Sequence, residues 1–236
     1  KPLAPSQYHI RLTQRLIAAV SAPTAEGVLY ELDLRLRPSG NKGPVATHVE
    51  SFSKYQRTEA WVWEHMALTR GRMIAGDPDL CREMTAVMAD LLDEAGADGA
   101  KIAKEARKMR KLIEEEKPPR DAWDLKLVPG GLIDLEFIAQ VARLTGRLDL
   151  PEDGPVPTAT VDVLSILSPD FADPAVRDDL VEAANLYMGL TQILRLCLTG
   201  PFERDDAPPG LVDLLLRSTD LPDFSVLEAH VKEMSD

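Results

Sequence analysis

Cysteine is nearly absent from the 236-residue sequence, which contains only Cys81 and Cys197. Two thiols so far apart lack the spacing of a zinc site or a redox motif, and they are typical of a protein in a reducing cytoplasm. We expect both to be buried and to behave as small hydrophobic residues. Long apolar runs are absent as well. Because no stretch of about 18 apolar residues occurs and no charged-then-apolar leader opens the chain, we expect neither a membrane span nor secretion.

Basic residues are scarce relative to acidic ones, with 27 Lys and Arg against 39 Asp and Glu and a net charge of −12. This balance argues against a protein whose main task is to grip a nucleic-acid backbone, although a few local arginines could still bind a nucleotide. The four histidines share no common spacing and have no Ser or Cys partner. The sequence therefore predicts neither a metal cluster nor a nucleophilic triad.

Helical periodicity dominates the chain, which is 44% hydrophobic and long enough for one large domain or two small ones. Helical patterns cover residues 6–20, 51–75, 78–93, 99–116, 131–147, 158–167, 174–198, 210–216 and 225–234. Only residues 30–40 and 45–48 have the pattern of strands, and together they predict a small hairpin. We therefore predict a mainly α fold with a small β portion (α+β), in which residues 1–50 hold the strands and residues 51–236 form a helical domain.

The stretch at residues 30–40 alternates apolar leucines with charged side chains, which is the period-two pattern of a strand. One face of this strand would carry Asp33, Arg35 and Arg37, and Pro38 with the turn residues that follow would end it. Two interpretations remain open. The charges can form ordinary ion pairs at a solvated edge, or the carboxylate can hold Mg²⁺ while the arginines neutralise nucleotide phosphates. A single aspartate cannot build the second kind of site.

A second informative stretch begins at Gly130-Gly131 and starts a helix that is apolar nearly all round. Such a helix is buried, so its carboxylates Asp134 and Glu136 must each find a cation, a metal or a backbone donor. Asp134 lies in the first turn, where the free backbone N–H groups favour a negative charge. Glu136 points about 200° further round the helix, at 3.6 residues per turn. The candidate cations for these carboxylates are Arg35, Arg37, Arg70 and Arg72.

Two further helical segments carry residues of interest. The helix predicted at residues 51–75 contains Trp61, Trp63 and Glu64, and we expect both tryptophans to pack in the core. Residues 101–111 hold six Lys or Arg in eleven positions. A basic run of this kind is typical of a solvated helix face.

At these residues the sequence resembles the glutamine synthetase adenylyltransferase family. The similar segments occur in the same order and spacing over residues 3–144. They are Tyr30-Glu-Leu-Asp-Leu-Arg-Leu-Arg-Pro-Ser-Gly40, Tyr55-Gln56, Glu59-Ala-Trp-Val-Trp-Glu-His-Met-Ala-Leu-Thr-Arg-Gly-Arg72 and Gly130-Gly-Leu-Ile-Asp-Leu-Glu-Phe-Ile-Ala-Gln140. Members of the family carry two nucleotidyltransferase halves, one that removes AMP from glutamine synthetase and one that attaches it. The Arg-Pro-Ser-Gly ending, the Glu59-Ala-Trp-Val-Trp-Glu-His motif and the Asp134-Leu-Glu136 motif look like the attaching, C-terminal half. The removing half usually has Arg-Pro-Phe-Gly and an Arg-Glu-Ile-Glu version of the last motif.

The resemblance implies a nucleotidyltransferase of the DNA polymerase beta type, here truncated and followed by a helical bundle domain. The family holds Mg²⁺ or Mn²⁺ with a Gly-Ser-Asp-x-Asp pair and a third aspartate, which Asp33 matches. The pair is absent from this sequence, and the chain opens on Lys1 without an initiator Met. We therefore expect a fragment of a longer protein that is inactive alone.

The reaction implied for the intact enzyme is attack of a glutamine synthetase tyrosine on the α-phosphorus of ATP. The residues implied to take part are Asp33 as metal ligand or general base, Arg35, Arg37 and Ser39 as phosphate-binding residues, and Glu64, Asp134 and Glu136 as residues of the helical domain at the site.

The partners implied are glutamine synthetase and the nitrogen-signalling PII protein, with no nucleic acid and no membrane. A different possibility is that the chain is a non-catalytic helical interaction module that binds glutamine synthetase or a PII protein. A third is a related enzyme that transfers uridylyl groups or removes AMP.

Overall fold

The structure is a computed structural model that describes residues 3–28, 32–150 and 156–234. It is mainly helical, with 62% helix and 3% strand, so the predicted mainly α fold with a small β portion is confirmed. The chain divides into two compact units. Unit 1 comprises Lys1–Leu68 and Arg72–Ala95, and unit 2 comprises Thr69–Gly71 and Gly96–Asp236.

The described part of unit 1 contains four α-helices, a 3₁₀ helix at Gly40–Lys42 and a short antiparallel hairpin. The helices are α1 (Pro5–Val20), α2 (Val49–Thr58), α3 (Val62–Leu68) and α4 (Pro78–Gly96), and the strands are β1 (Pro23–Thr24) and β2 (Gly27–Val28). Gly27 has a φ of +98°, a conformation that glycine adopts without strain, and it allows the tight hairpin turn. Arg57 of α2 donates two hydrogen bonds to the Glu94 carboxylate of α4, at 2.8 and 2.9 Å.

The prediction of a strand at residues 30–40 is wrong for its described part. Residues 32–39 form an irregular segment that ends in turns and leads into the 3₁₀ helix at Gly40–Lys42, and residues 30 and 31 lie outside the described residues. The Asp33 carboxylate accepts the backbone N–H of Arg35 at 2.9 Å, a local bond that competes with strand pairing. The predicted turn at Ser39 and Gly40 is confirmed, since both have positive φ, 60° and 52°. The extended piece at 45–48 also forms no strand.

The helix predicted at residues 51–75 is two helices instead. The backbone N–H groups of Glu59 and Ala60 both donate to the Tyr55 carbonyl, which ends α2. A second helix, α3, begins at Val62, and in this arrangement Trp61 is 68% exposed and Trp63 is 36% exposed. The prediction that both tryptophans pack in the core is therefore wrong. Cys197 is also exposed rather than buried, and Cys81 is half-buried.

Unit 2 is a helical assembly around one hydrophobic core. Its helices are α5 (Gly99–Glu116), α6 (Leu132–Leu144), α7 (Thr160–Ser165), α8 (Pro174–Cys197), α9 (Pro209–Thr219) and α10 (Phe224–Glu233). Three of them begin at an aspartate whose carboxylate accepts backbone N–H groups of the first turn, namely α5 at Asp98, α8 at Asp173 and α10 at Asp223. These starts match the predicted helical segments to within a few residues.

The core of unit 2 is built around α6 and α8. Its fully buried side chains include Ala142 of α6, Leu164 of α7, Tyr187 of α8 and Leu227 of α10. The Tyr187 hydroxyl is buried with them and donates a hydrogen bond to the Val231 carbonyl at 3.2 Å. Burial of this apolar surface on both sides of α6 explains why that helix is apolar nearly all round. In the described ranges of the chain, no helix is long and apolar enough to cross a bilayer.

The Gly130-Gly131 pair makes the sharp entry into α6. Gly130 has a φ of +71°. A Cβ on Gly131 would lie 2.7 Å from the Leu125 carbonyl oxygen and 2.8 Å from that of Val128, closer than real Cβ atoms approach. Glycine is therefore needed at the two positions for different reasons. Gly130 adopts a left-handed backbone conformation, and Gly131 allows two carbonyl oxygens to approach its Cα closely.

Candidate functional site

Asp33 and Arg35 form an exposed ion pair within one turn. The Arg35 Nη2 atom lies 2.7 Å from Asp33 Oδ2, and Nε lies 3.0 Å from Oδ1. Both side chains are more than half exposed. Hydrogen bonds from the Arg35 side chain and then from its backbone N–H lower the pKa of Asp33 from its ordinary value to about 2. The carboxylate is thus ionised at any ordinary pH, and its two oxygens are taken by one arginine.

Arg37 binds the loop itself. Its guanidinium donates to three backbone carbonyls, those of Leu34 at 2.7 Å, Gly43 at 3.2 Å and Asn41 at 3.3 Å. Each of its three nitrogens is therefore engaged with the loop backbone. Ser39 lies inside this loop, with its carbonyl accepting the backbone N–H of Lys42 at 3.2 Å. The arrangement gives Arg37 a clear role in holding the loop closed, and its expected phosphate-binding role stays a prediction.

Glu64 is a buried carboxylate, 8% exposed, that joins α2 to the start of α3. Its Oε2 atom accepts the backbone N–H of Trp61 at 2.8 Å, the reach-back bond by which a glutamate in the first turn caps a helix. Its Oε1 atom accepts the Tyr55 hydroxyl at 2.9 Å. Burial, and then the hydrogen bond to Glu64, raises the pKa of Tyr55 above its ordinary value. Glu64 therefore positions two elements of unit 1.

Glu136 pairs with one of the four arginines predicted from the sequence. Arg70 Nη1 lies 3.0 Å from Glu136 Oε1, with the two side chains 47% and 31% exposed. Both residues belong to unit 2, because the short segment Thr69–Gly71 is grouped with it. The expectation of a cation partner for Glu136 is confirmed.

Asp134 has the backbone partner expected in a first helical turn and a cation that the sequence reasoning missed. Its Oδ2 atom accepts the Gly130 N–H at 2.9 Å. Its two oxygens also accept from Arg110 Nε at 2.6 Å and Nη2 at 3.1 Å. These hydrogen bonds hold the pKa of Arg110 above its usual value, and Arg110 Nη2 also donates to the Leu127 carbonyl at 3.1 Å.

The basic run at residues 101–111 is therefore not wholly a solvated face. Arg110 continues the stripe of Ile102 and Ala106, which are 2% and 6% exposed, at a spacing of four residues. Side chains four apart lie on one face of a helix, so this stripe faces inward. That spacing is the signal that could have identified Arg110 in the sequence.

The described residues do not complete a divalent-cation site by themselves. Across residues 3–28, 32–150 and 156–234, no group of three or more His, Cys, Asp or Glu side chains is arranged to hold a metal. Asp33 is a single carboxylate already engaged by Arg35. Mg²⁺ needs octahedral oxygen ligands, usually one or two carboxylates with waters and phosphates. We derive no metal-dependent step from these residues.

The predicted site residues fall into separate clusters within each unit. Unit 1 brings together Asp33 with Arg35, and Glu64 with Tyr55. Unit 2 brings together Glu136 with Arg70. These contacts leave the catalytic role of each residue as a prediction.

Comparison with known proteins finds similarity to glutamine synthetase adenylyltransferases. A family model described as glutamate-ammonia ligase adenylyltransferase matches residues 1–87. The bifunctional glutamine synthetase adenylyltransferase/adenylyl-removing enzyme of Mesorhizobium japonicum is 66% identical over 235 residues, which is 100% of this chain and 23% of that protein. The proteins of the same name from Brucella suis and Rhizobium meliloti are 58% and 52% identical. They match 99% and 100% of this chain and 23% and 24% of their own length. The family resemblance is confirmed, and the chain spans about a quarter of the length of these relatives.

Proposed function

We propose that this chain, which corresponds over its whole length to one segment of glutamine synthetase adenylyltransferase/adenylyl-removing enzymes, is part of the half that attaches AMP. The reaction would form a bond between a tyrosine oxygen of glutamine synthetase and the α-phosphorus of ATP as the bond to pyrophosphate breaks. The observation that carries the proposal is the 66% identity to the Mesorhizobium japonicum enzyme across the full chain. Motifs support the choice of half, because Arg37-Pro38-Ser39-Gly40 and Asp134-Leu135-Glu136 resemble the attaching type.

Asp33 is proposed as one ligand of a Mg²⁺ or Mn²⁺ site whose other carboxylates lie outside the described residues. Two observations support this role. The carboxylate is exposed, and with Arg35 beside it its pKa of about 2 keeps it negatively charged before any cation binds. Arg35 would have to release Asp33 for a cation to bind, and the freed guanidinium could then meet the phosphates of ATP. Ser39 and Arg37 lie in the same loop and are proposed to shape it for the nucleotide.

Glu64 and Glu136 are proposed as positioning residues rather than groups that touch the substrate. Both carboxylates are engaged by protein donors, Glu64 by Tyr55 and the Trp61 backbone and Glu136 by Arg70. A carboxylate held in this way fixes the elements on either side of it. Its loss would act on catalysis through the geometry of its neighbours.

The decisive experiment builds this chain into the Mesorhizobium japonicum enzyme in place of the matching segment and compares two variants. Transfer of labelled AMP from ATP to glutamine synthetase is measured. We expect Asp33→Asn to lower the rate by about 10²-fold or more, as loss of an electrostatic catalytic group does. Glu26→Gln, an exposed carboxylate on the hairpin turn, is the matched control and should leave the rate unchanged. Near-normal transfer by Asp33→Asn would reduce Asp33 to a surface ion-pair residue.

The isolated chain is expected to be inactive, because a lone carboxylate cannot assemble the metal site. Incubation with labelled ATP, Mg²⁺ and glutamine synthetase should give no transfer, and transfer by the chain alone would overturn this part of the proposal. The second candidate function is a non-catalytic module that binds glutamine synthetase or a PII protein. It is favoured by the separate hydrophobic core of unit 2. Calorimetric titration of the isolated chain with each partner tests this candidate.

A further inference from the structure

A groove of about 640 Å³ lies between α5 and α6 of unit 2, and the proposed function leaves it unused. Its floor is formed by six apolar side chains: Ala103, Ala106, Phe137, Ile138, Val141 and Phe171. The volume and the mostly apolar lining are those of sites that hold small organic molecules. Phe171 is 37% exposed at its edge, so an aromatic ring is available to an incoming ligand.

The groove is lined on one side by three cations of α5. Arg107 and Lys111 are four residues apart, so they lie one above the other on the same helix face. The partner of Lys111 is Glu115, at 3.8 Å and exposed, which is a weak pair in water. In the described part of the chain, the Arg107 side chain has no ion-pair or hydrogen-bond partner. The Nη1 atom of the third cation, Arg110, is buried without a hydrogen-bond acceptor.

Two carboxylates also line the groove, Glu114 and Asp134. Asp134 is neutralised by Arg110 and accepts a further backbone N–H from Gly130. Glu114 lies four residues after Arg110, on the same face of α5. Three cations against two carboxylates leave the groove with one positive charge in excess, next to an apolar floor. Leaving a buried donor of a charged group without an acceptor is unfavourable, and an acceptor atom of a ligand could relieve that cost.

We propose that this groove binds a small organic anion that has an aromatic or aliphatic body. The body covers the apolar floor between Phe137 and Phe171, and its carboxylate or sulfonate group is held by Arg107 and Lys111. Burial of apolar area supplies most of the affinity, and the two cations set the orientation and the preference for a negative charge. This inference does not depend on adenylyl transfer.

The test titrates the 236-residue chain with anilinonaphthalene sulfonate, whose aromatic body and single sulfonate match the groove. The dye should bind at one site, and Arg107→Gln should weaken binding about tenfold, as loss of a charge-assisted hydrogen bond does. Ala103→Trp should block binding by filling the floor. Lys108→Gln is the matched control, because Lys108 lies on the same helix outside the groove and pairs with Glu105. It should bind like the unmodified chain, and near-ultraviolet circular dichroism of each variant checks its packing.

Competition distinguishes the ligand classes. Octanoate should displace the dye, whereas inorganic phosphate, which has no apolar body, should not. Displacement by ATP with the same dependence on Arg107 would make the groove a nucleotide site and overturn the proposal. Equal dye affinity in the chain, Arg107→Gln and Ala103→Trp would overturn it as well, because the dye would then bind elsewhere.

Discussion

Arg70 and Glu136 lie 3.0 Å apart, and each comes from a different motif shared with the adenylyltransferase family. Arg70 lies in the short segment after α3, and Glu136 lies in the second turn of α6. The neighbouring Thr69 is only 1% exposed, and the segment Thr69–Gly71 is grouped with unit 2. Residues that are 66 positions apart in sequence thus hold a connecting segment to the central helix of unit 2.

The Arg70–Glu136 pair should contribute modestly to stability. Both side chains are about a third to a half exposed, so solvent screens their attraction. We expect Arg70→Ala, Glu136→Ala and the double variant to give a coupling free energy of about 0.5–1 kcal/mol in a urea-unfolding cycle. Additive effects would show that the pair is not formed in solution.

Asp134→Asn should lower the free energy of unfolding by more, about 2–3 kcal/mol, because Asp134 binds the partly buried Arg110 through two oxygens and also accepts the Gly130 N–H just before α6. The asparagine side chain keeps the shape but turns one acceptor into a donor that faces the guanidinium. Asp213→Asn, an exposed carboxylate on α9, is the matched control and should change stability by less than about 0.5 kcal/mol. A loss as small as that of the control would contradict a central role for the pair.

Glu64→Gln should destabilise unit 1 by about 1 kcal/mol, the usual cost of a lost helix cap. The amide can still accept the Tyr55 hydroxyl, but it cannot at the same time give Trp61 N–H a charged acceptor. Glu83→Gln, on an exposed turn of α4, should be neutral. Thermal unfolding followed by circular dichroism measures both, and equal melting temperatures would show that the cap contributes nothing.

Two glycines of unit 2 should respond to alanine in opposite directions. Gly131→Ala should cost about 1–3 kcal/mol, because the new Cβ would meet two carbonyl oxygens that belong to the backbone. Gly189→Ala should gain up to about 1 kcal/mol, since Gly189 lies inside α8 with open space around its Cβ position and alanine is the better helix former. Chemical unfolding of the two variants provides the comparison. Destabilisation by both would show that the α8 position is tighter than the structure indicates.

Tyr55 should titrate above the ordinary tyrosine pKa of about 10, because burial and Glu64 disfavour its phenolate. Its folded pKa is above its unfolded pKa, so its contribution to stability is complete below pH 10 and is lost as the pH rises through the folded value. The check is the tyrosinate absorbance of the chain minus that of Tyr55→Phe. A difference curve centred at or below pH 10 would contradict the partly buried hydrogen bond from Tyr55 to Glu64.

Long periodic helices could be predicted from the sequence because their own pattern determines them. The pattern at residues 99–116 gave α5 with both ends correct, helped by the Asp98 cap. The strand at residues 30–40 had an equally regular pattern, but a strand also needs a neighbour and free backbone groups. In the described residues, the Asp33 carboxylate accepts the backbone N–H of Arg35, and the Arg37 side chain donates to nearby carbonyls such as that of Leu34. These backbone groups are therefore not available for strand pairing, and the segment forms turns.

The pairings were harder to predict than the elements. Glu136 could be assigned to a group of arginines from the cost of burying its charge, but only the fold selects Arg70. The inward position of Arg110 was not predicted, because the many Lys and Arg residues at 101–111 suggested that the whole segment faces solvent. Trp61 and Trp63 were expected inside, but the break between α2 and α3 left both at the surface.

Helix α1 contains no buried residue, although Leu12 and Leu16 form an apolar stripe along it. An isolated helix of about this length is only marginally stable in water, and most helices depend on packing for the rest of their stability. The backbone amides of α1 should therefore exchange with deuterium quickly in this chain, whereas those of α6, which has six buried residues, should exchange only on global unfolding of unit 2. The free energy of local opening is therefore lowest at α1 and highest at α6, the helix that carries Asp134 and Glu136.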